Sequence, residues 1–477
     1  GAVQFRVNRV LKPHSYITQY RESDSHFIRR LLEHEGLFFY FEHTADSHKL
    51  VIMDDSTVLT PLPEQPQIRF HTASVTETAD SITSWTSARE FQPSKISVQT
   101  FDYRQPNNRI PVTMNSLNQQ GDVPSFELYD YMGQYTHGTP ADGEMLVRNR
   151  IEALELKGKT FVGLSNCRAL RPGHTFELTQ HYEHDAGSAE DRQFLVMSIE
   201  HRGSNNYTSD SQAGYANKFY SVRKKIKFRP QMDLLKPGIS GPQTAIVVGP
   251  PGEEIYTDEM GRVKVQFHWD RYGKFDDKSS CWVRVAQSGA SGGFGSIQIP
   301  RVGDEVVVVF LDGNPDRPLV MGSLYNSQNT PPWSLPANKT QSGFLTRSAK
   351  GDGGTANFFR FEDKAGAEQV IVHAERNMDT EIELDEKHEV GNNRKVTVGG
   401  TNTEIIQKDT VTNVQQGSFT LKVDNQFIQV DAKQYILLKV GDSSISITPD
   451  GIQIKGKVIN VLGESTFVKG DRVDINK

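Results

Sequence analysis

The spacing of apolar residues changes along this chain, and each change marks a different kind of structure. In residues 19–41, Phe27, Ile28, Leu31 and Leu32 fall on one helical stripe. Ser23 and Asp24 stand where N-caps belong, and Gly36 stands where a C′ glycine stops a helix. Residues 37–41 and 50–53 are apolar runs flanking a polar turn, the pattern of a hairpin. Short strand patterns then dominate to residue 229. One more helix is predicted over 144–156, where Met145, Ile151 and Leu154 recur at helical spacing. This part reads as a β-rich domain with a short helical insertion.

Residues 229–251 carry Pro230, Pro237, Gly238, Gly241, Pro242, Pro250 and Pro251, which marks a linker or boundary. Beyond it Val263, Val265, Phe267 and Trp269 alternate with polar neighbours, as in a half-buried strand. Residues 282–286, 296–299, 305–311 and 319–324 are further strand candidates, and a turn over 312–316 separates the last two. Five short strands in so small a span predict a barrel of OB type.

The tail is patterned differently. After Pro336 the only proline is Pro449, which suits an extensive hydrogen-bonded ladder. Val390, Val398, Ile406 and Val414 fall eight residues apart, and Val390-Gly391, Val398-Gly399 and Val440-Gly441 repeat one dipeptide. An eight-residue period fits no heptad. It predicts a β-helix with the four aliphatics as core and Gly391, Gly399 and Gly441 at turns. The register slips after Val414, although Ile445, Ile447, Ile452 and Ile454 still alternate. One such strand set leaves an apolar stripe and open edges, so the repeat predicts an oligomer.

Composition narrows the function. The 477 residues are enough for about three domains at roughly 150 residues each. A net charge of −6 argues against a dedicated nucleic-acid binder. The longest apolar run, 306–311, is too short to span a bilayer, and no signal peptide opens the sequence. Two cysteines, Cys167 and Cys281, build neither a disulfide framework nor a cysteine-rich zinc site, and they suit assembly in a reducing cytoplasm.

The candidate chemistry is thin. Residues 153–160 fall one residue short of a phosphate-binding loop, but run from helix into strand, the reverse of what phosphate binding needs. Gly289-Ala290-Ser291-Gly292-Gly293 matches a nucleophile elbow, yet no helix follows to carry it. His174, His181, His184 and Asp185 gather near a hairpin and read as solvated rather than as metal ligands. His34-Glu35 ends a helix without the second histidine of a zinc-protease pattern. Glu253-Glu254 and Asp276-Asp277 read as solvated turns, and the acidic neighbours of Trp269, Tyr272 and Phe275 weaken single-strand binding. No catalytic, cofactor or metal site is predicted.

Three blocks resemble the VgrG family, the spike proteins of type VI secretion systems. The first is Gln19-Tyr20-Arg21-Glu22-Ser23-Asp24 with Phe27, Leu31, Leu32, Glu35-Gly36 and the aromatic run 38–41. The second and strongest covers 252–255, 261–271, 280–287, 299–303 and Asn314-Pro315-Asp316-Arg317-Pro318. The third covers 335–343, 361–364, 366–369 and 373–377. The resemblance implies a mainly β chain: a hub at 1–235, an OB-fold neck at 244–330, an extended connector at 331–375 and an intertwined trimeric β-helix needle at 376–477. It implies a non-enzymatic homotrimeric puncturing spike on the hexameric Hcp tube. A PAAR-repeat protein would cap its tip and carry effectors. It would assemble in the cytoplasm and be driven into a target cell when the sheath contracts. The family has a leading β-barrel before the first block, whereas eighteen residues precede Gln19 here, and Lys477 falls in strand-like sequence, so the chain reads as lacking that barrel and trimmed at the needle tip. A phage-derived spike would share this architecture. A spike carrying a cell-wall hydrolase would need a domain inserted between Tyr325 and Arg376, and the roughly 50 residues there are too few.

Overall fold

The computed structural model describes residues 2–72, 79–108, 110–118, 124–208, 213–351 and 353–474. It divides into two compact units, Gly1–Asp379 and Thr380–Lys477.

In the first unit a six-stranded sheet runs in the order Gln67–Arg69, Thr175–Thr179, Gln193–Ser204, Gly214–Arg223, Lys159–Ser165, Ile82–Arg89. Its core is aromatic: Phe161, Phe176, Phe194 and Phe219 are fully buried and pack around Trp85. Burying each such side chain contributes about 1.5–3 kcal/mol. The predicted hairpin is Phe38–His43 paired antiparallel with His48–Met53. Helix α1 (Asp24–His34) begins at Ser23, whose hydroxyl accepts from His26 N at 3.2 Å. It stops at Gly36, held at φ +64° with Leu37 N bonded back to Leu32 O. A side chain at Gly36 would also collide with Asn149, so glycine is required twice over.

The apolar stripe of α1 does not form its buried face. Ile28 is exposed and Phe27, Leu31 and Leu32 are half-covered, whereas the buried residue is Arg30. Its guanidinium pairs with Glu22 at 2.7 Å and donates to Thr18 O, so charge pairing buries a position that hydropathy assigns to water. Helix α2 (Pro140–Gly158) packs Val147 and Ile151 on Ile96, Val98 and Val112 of a three-stranded sheet. It is buried on its polar side as well: Glu152 pairs with Arg229, and Glu155 accepts from Ser116, Leu117 and Asn118. Met145, taken as part of the stripe, is exposed.

The small barrel has five strands, ordered Lys264–Phe267, Gln243–Val248, Glu305–Phe310, Pro318–Leu324, Arg284–Val285. Its membership differs from the sequence reading. Residues 296–299 are not a strand, and Gln243–Val248, inside the supposed linker, is one. The prolines and glycines flank that strand, and Ala245, Val247 and Val248 within it are fully buried. The glycine-rich segment 289–293 is a loop closed by an Ala290–Gly295 bridge, with no helix behind it. An antiparallel meander of Gln341–Arg347, Ala356–Glu362 and Gln369–His373 follows.

In the second unit, residues 380–434 form no paired strand. Ile436–Val440, Ser443–Thr448 and Gly451–Lys455 form an antiparallel meander, not a continuation of the eight-residue winding. The alternating isoleucines line up across it as two rows, Leu438–Ile445–Ile454 and Ile436–Ile447–Ile452. Gly441, at φ +53°, makes the first turn.

Candidate functional site: an arginine-centred junction and an eight-residue ladder

Residues of the first two sequence blocks converge where the first domain meets the small barrel. Tyr20 packs edge-on against Trp269 at 5.4 Å, and both bond to Gln243: Tyr20 Oη accepts from its amide and Trp269 Nε1 donates to its oxygen at 2.8 Å. Thr18 N donates to Asp316 Oδ1 at 2.7 Å, and Lys236 pairs with the other oxygen of Asp316. Trp269 also stacks on Phe267 at 5.0 Å and stays partly exposed.

Arg317 is the centre of the junction. Its Nε donates to Gln134 O at 2.9 Å, its Nη2 to Tyr135 O at 3.1 Å and its Nη1 to Asp316 O at 2.8 Å. Two consecutive carbonyls reach one guanidinium because Tyr135 sits in the left-handed region, φ +57°, a strained setting for a bulky residue. The surroundings compensate. Arg317 and Arg284 lie over the Tyr135 ring at 5.3 and 5.9 Å, Tyr103 meets it edge-on at 4.9 Å, and Arg262 and Arg284 lie over Tyr103. Such cation–ring contacts contribute about 0.5–2 kcal/mol each.

The Tyr135 hydroxyl is buried without a hydrogen-bond partner. Tyr135→Phe is therefore expected to leave stability unchanged or raise it by up to about 1 kcal/mol, while Tyr135→Ala costs about 3 kcal/mol. Burial pushes this phenol up to about 12 from its ordinary value of 10.0. Between those values the unfolded chain loses the proton and the folded chain keeps it, so stability present below pH 10 falls as pH rises towards 12. Tyr135→Phe is expected to blunt that alkaline loss, read from urea midpoints at pH 8 and pH 11.

The ladder lies in the tail. The backbone bends at 375–376, 383–384, 391–392, 399–400, 407–408 and 415–417, and each bend starts eight residues after the one before. Val390, Val398, Ile406 and Val414 each immediately precede a bend, as does Ile382, which the sequence reading missed. The next bends start at 424 and 433, so the slip after Val414 is one added residue per turn. The four positions are 43–52% exposed, against 85% and 88% for Ile405 and Val411. Gly391 and Gly399 lie in bends but not in the left-handed region, so their φ does not demand glycine, unlike that of Gly441. Across 376–434 the chain makes no backbone–backbone hydrogen bond with itself.

Other candidates resolve differently. His181 and His184 are buried, not solvated: His181 packs on Phe70, and His184 accepts from Trp85 Nε1 at 3.1 Å beside Phe161 and Phe194. Burial lowers both imidazoles' affinity for protons. His174 is half-buried against Tyr40. Residues 153–160 run from α2 into a strand. Both cysteines are free; Cys167 is buried and Cys281 half-buried, and desolvation pushes the Cys281 thiol up to about 11. Among the described residues no helix is long and apolar enough to cross a membrane. His14, His34 and Glu35 are brought together, which the sequence reading did not foresee, because His14 arrives from a loop twenty residues earlier.

Three known families match in chain order. Residues 1–207 match the phage tail baseplate hub (GPD), residues 253–325 the type VI secretion system/phage-baseplate injector OB domain, and residues 342–445 the bacteriophage T4 gp5 C-terminal trimerisation domain. Together they define the class: a mainly β, tail-spike-like protein. The spike protein VgrG1a of Pseudomonas aeruginosa is 36% identical over 506 aligned residues, covering 98% of this chain and 74% of its own length. The chain belongs to the VgrG family of type VI secretion system spike proteins. VgrG1c of the same organism is 41% identical over 405 residues, and the chain spans about half of that relative, 54%. The Vibrio cholerae actin cross-linking toxin VgrG1 is 34% identical over 412 residues, 85% of this chain and 37% of the toxin. Among solved structures, an E. coli type VI secretion component described as similar to the T4 tail proteins gp27 and gp5 aligns at 16% identity. Its TM-score is 0.41, with 68% of this chain and 66% of that one covered.

Proposed function

We propose that the chain is the structural part of a puncturing spike at the tip of a type VI secretion tube, working as a homotrimer and without catalytic activity of its own. The observation that carries this reading is the ladder. A regular bend every eight residues, with no internal backbone hydrogen bonds and a row of half-exposed aliphatics, is stable only if other chains supply the missing partners. Three copies winding together pair the edges and turn Val390, Val398, Ile406 and Val414 inward. The match of 342–445 to a trimerisation domain supports that number. Rigidity and applied force then replace a lipid-soluble segment.

On this reading residues 1–235 are the hub seated on the Hcp hexamer, 244–330 the neck, 331–375 the connector and 376–477 the needle, with Gly391, Gly399 and Gly441 at its turns. A PAAR-repeat protein and effectors sit at the tip. The protein is made in the cytoplasm and leaves it on sheath contraction. The relative named as an actin cross-linking toxin is covered over only 37% of its length, and the activity in its name is not carried over to this chain. The test is the mass in solution by light scattering: three times the 53.5 kDa chain mass is expected, and a monomer at micromolar concentration overturns the reading.

A further inference from the structure

Residues 7–17 form a loop that no sheet or helix stabilises, and most of it is exposed. It is tied down at intervals: the amides of Asn8 and Arg9 donate to Asp54 Oδ2, Lys12 reaches Asp142, and Thr18 N reaches Asp316 at the junction. Between these ties His14 meets the C-terminal end of α1. Its Nε2 lies 3.0 Å from Glu35 Oε1, and His34 Nδ1 lies 3.3 Å from the same oxygen. One ligand atom from each of the three residues falls within 4.8 Å of the others.

We propose that His14, His34 and Glu35 form a binding site for a divalent transition metal of the zinc class, which clips the 7–17 loop to the end of α1. Two imidazoles and one carboxylate are a ligand set that zinc accepts, leaving a fourth position for water. Ligand atoms 2.0–2.2 Å from a tetrahedral ion stand roughly 3.3–3.5 Å apart; the two separations to Glu35 are close to that, while the two imidazole nitrogens, within 4.8 Å of each other, come together by side-chain rotation, with each ring proton on the nitrogen facing away from the ion. The three side chains are each about a third exposed, which gives an ion a way in. Two cations stand nearby: Arg9, which faces Asp54 as well as Glu35, and Arg229, which bonds to Gly36 O and is paired with Glu152 at 2.7 Å. Two ligands from α1 and one from the loop make the site a tether rather than a catalytic centre.

The test uses the full chain, stripped with chelator and titrated with Zn2+ alone by equilibrium dialysis. One tight site per chain is expected. His14→Gln and Glu35→Gln should each weaken it at least tenfold, while His43→Gln, at an exposed histidine outside the cluster, should not. Bound zinc should also slow tryptic cleavage after Arg9 several-fold. Co2+ in place of zinc should give the intense visible absorption of a tetrahedral site in the unaltered chain, which needs no variant to fold. Absence of that band, or zinc uptake unaffected by His14→Gln and Glu35→Gln, overturns the proposal.

Discussion

Val398→Asp is expected to abolish trimerisation of the tail, leaving the chain to run as a monomer by light scattering and in mild detergent without heating. Val398 is the middle of Ile382, Val390, Val398, Ile406 and Val414, the five branched aliphatics that immediately precede evenly spaced bends. On the proposed interwound arrangement it lies in the shared core, where the substitution places three carboxylates close together. Burying each without a partner costs several kcal/mol, and mutual repulsion adds to it. A lone chain tolerates the same aspartate, since Val398 is half-exposed there, so the loss belongs to assembly and not to the fold of one chain. Lys408→Gln, at an exposed bend position, is the matched control and should move stability by no more than about 0.5 kcal/mol. A Val398→Asp chain that stays trimeric and as detergent-resistant as the parent would falsify the interwound tail. The family membership would stand without it, since it rests on the relatives.

What the sequence disclosed follows from how local each determinant is. The α1 caps, the Phe38–His43 hairpin, the strand at Lys264–Phe267 and the eight-residue spacing depend on neighbours a few positions apart, and all are present, although buried Gln266 breaks the strand's predicted alternation. Failures occur where distant residues decide. Arg30 is buried because Glu22 and Thr18 O meet it, and His184 because the aromatic core closes over it with Trp85 as donor. Hydropathy ranks both side chains as solvent-facing. Gln243–Val248 escaped notice because flanking prolines masked a strand of only six residues. The site residues divide in the same way. The ladder is a periodicity and could be read directly, with Ile382 recoverable by extending the spacing one step towards the N-terminus. The junction depends on the backbone conformation of Tyr135, and no residue preference announces a tyrosine in the left-handed region.

That junction gives the second large effect. Arg317→Ala is expected to destabilise the first unit by about 2–3 kcal/mol and to loosen the barrel from the sheet domain. Removal of the guanidinium leaves the carbonyls of Gln134 and Tyr135 without their donor, and it strips a cation from the face of a ring held in a strained backbone. Burial lowers the proton affinity of Arg317, which marks it as a charge kept from water by its partners. Arg317→Lys should recover little, because one ammonium cannot present the planar fork that two successive carbonyls require. Hydrogen exchange separates this outcome from general unfolding. Protection should fall in the 131–136 and 311–318 segments, while the amides of Phe194, Val196 and Phe219 in the six-stranded core keep theirs. Unchanged melting together with unchanged exchange at those two segments would show that Arg317 does not hold the barrel in place. On the proposed spike reading, an effect of that size would make these charge-assisted hydrogen bonds a link by which thrust on the first domain reaches the barrel. If the proposed function holds, a trimer carrying Arg317→Ala should assemble normally and still lose delivery when the sheath contracts.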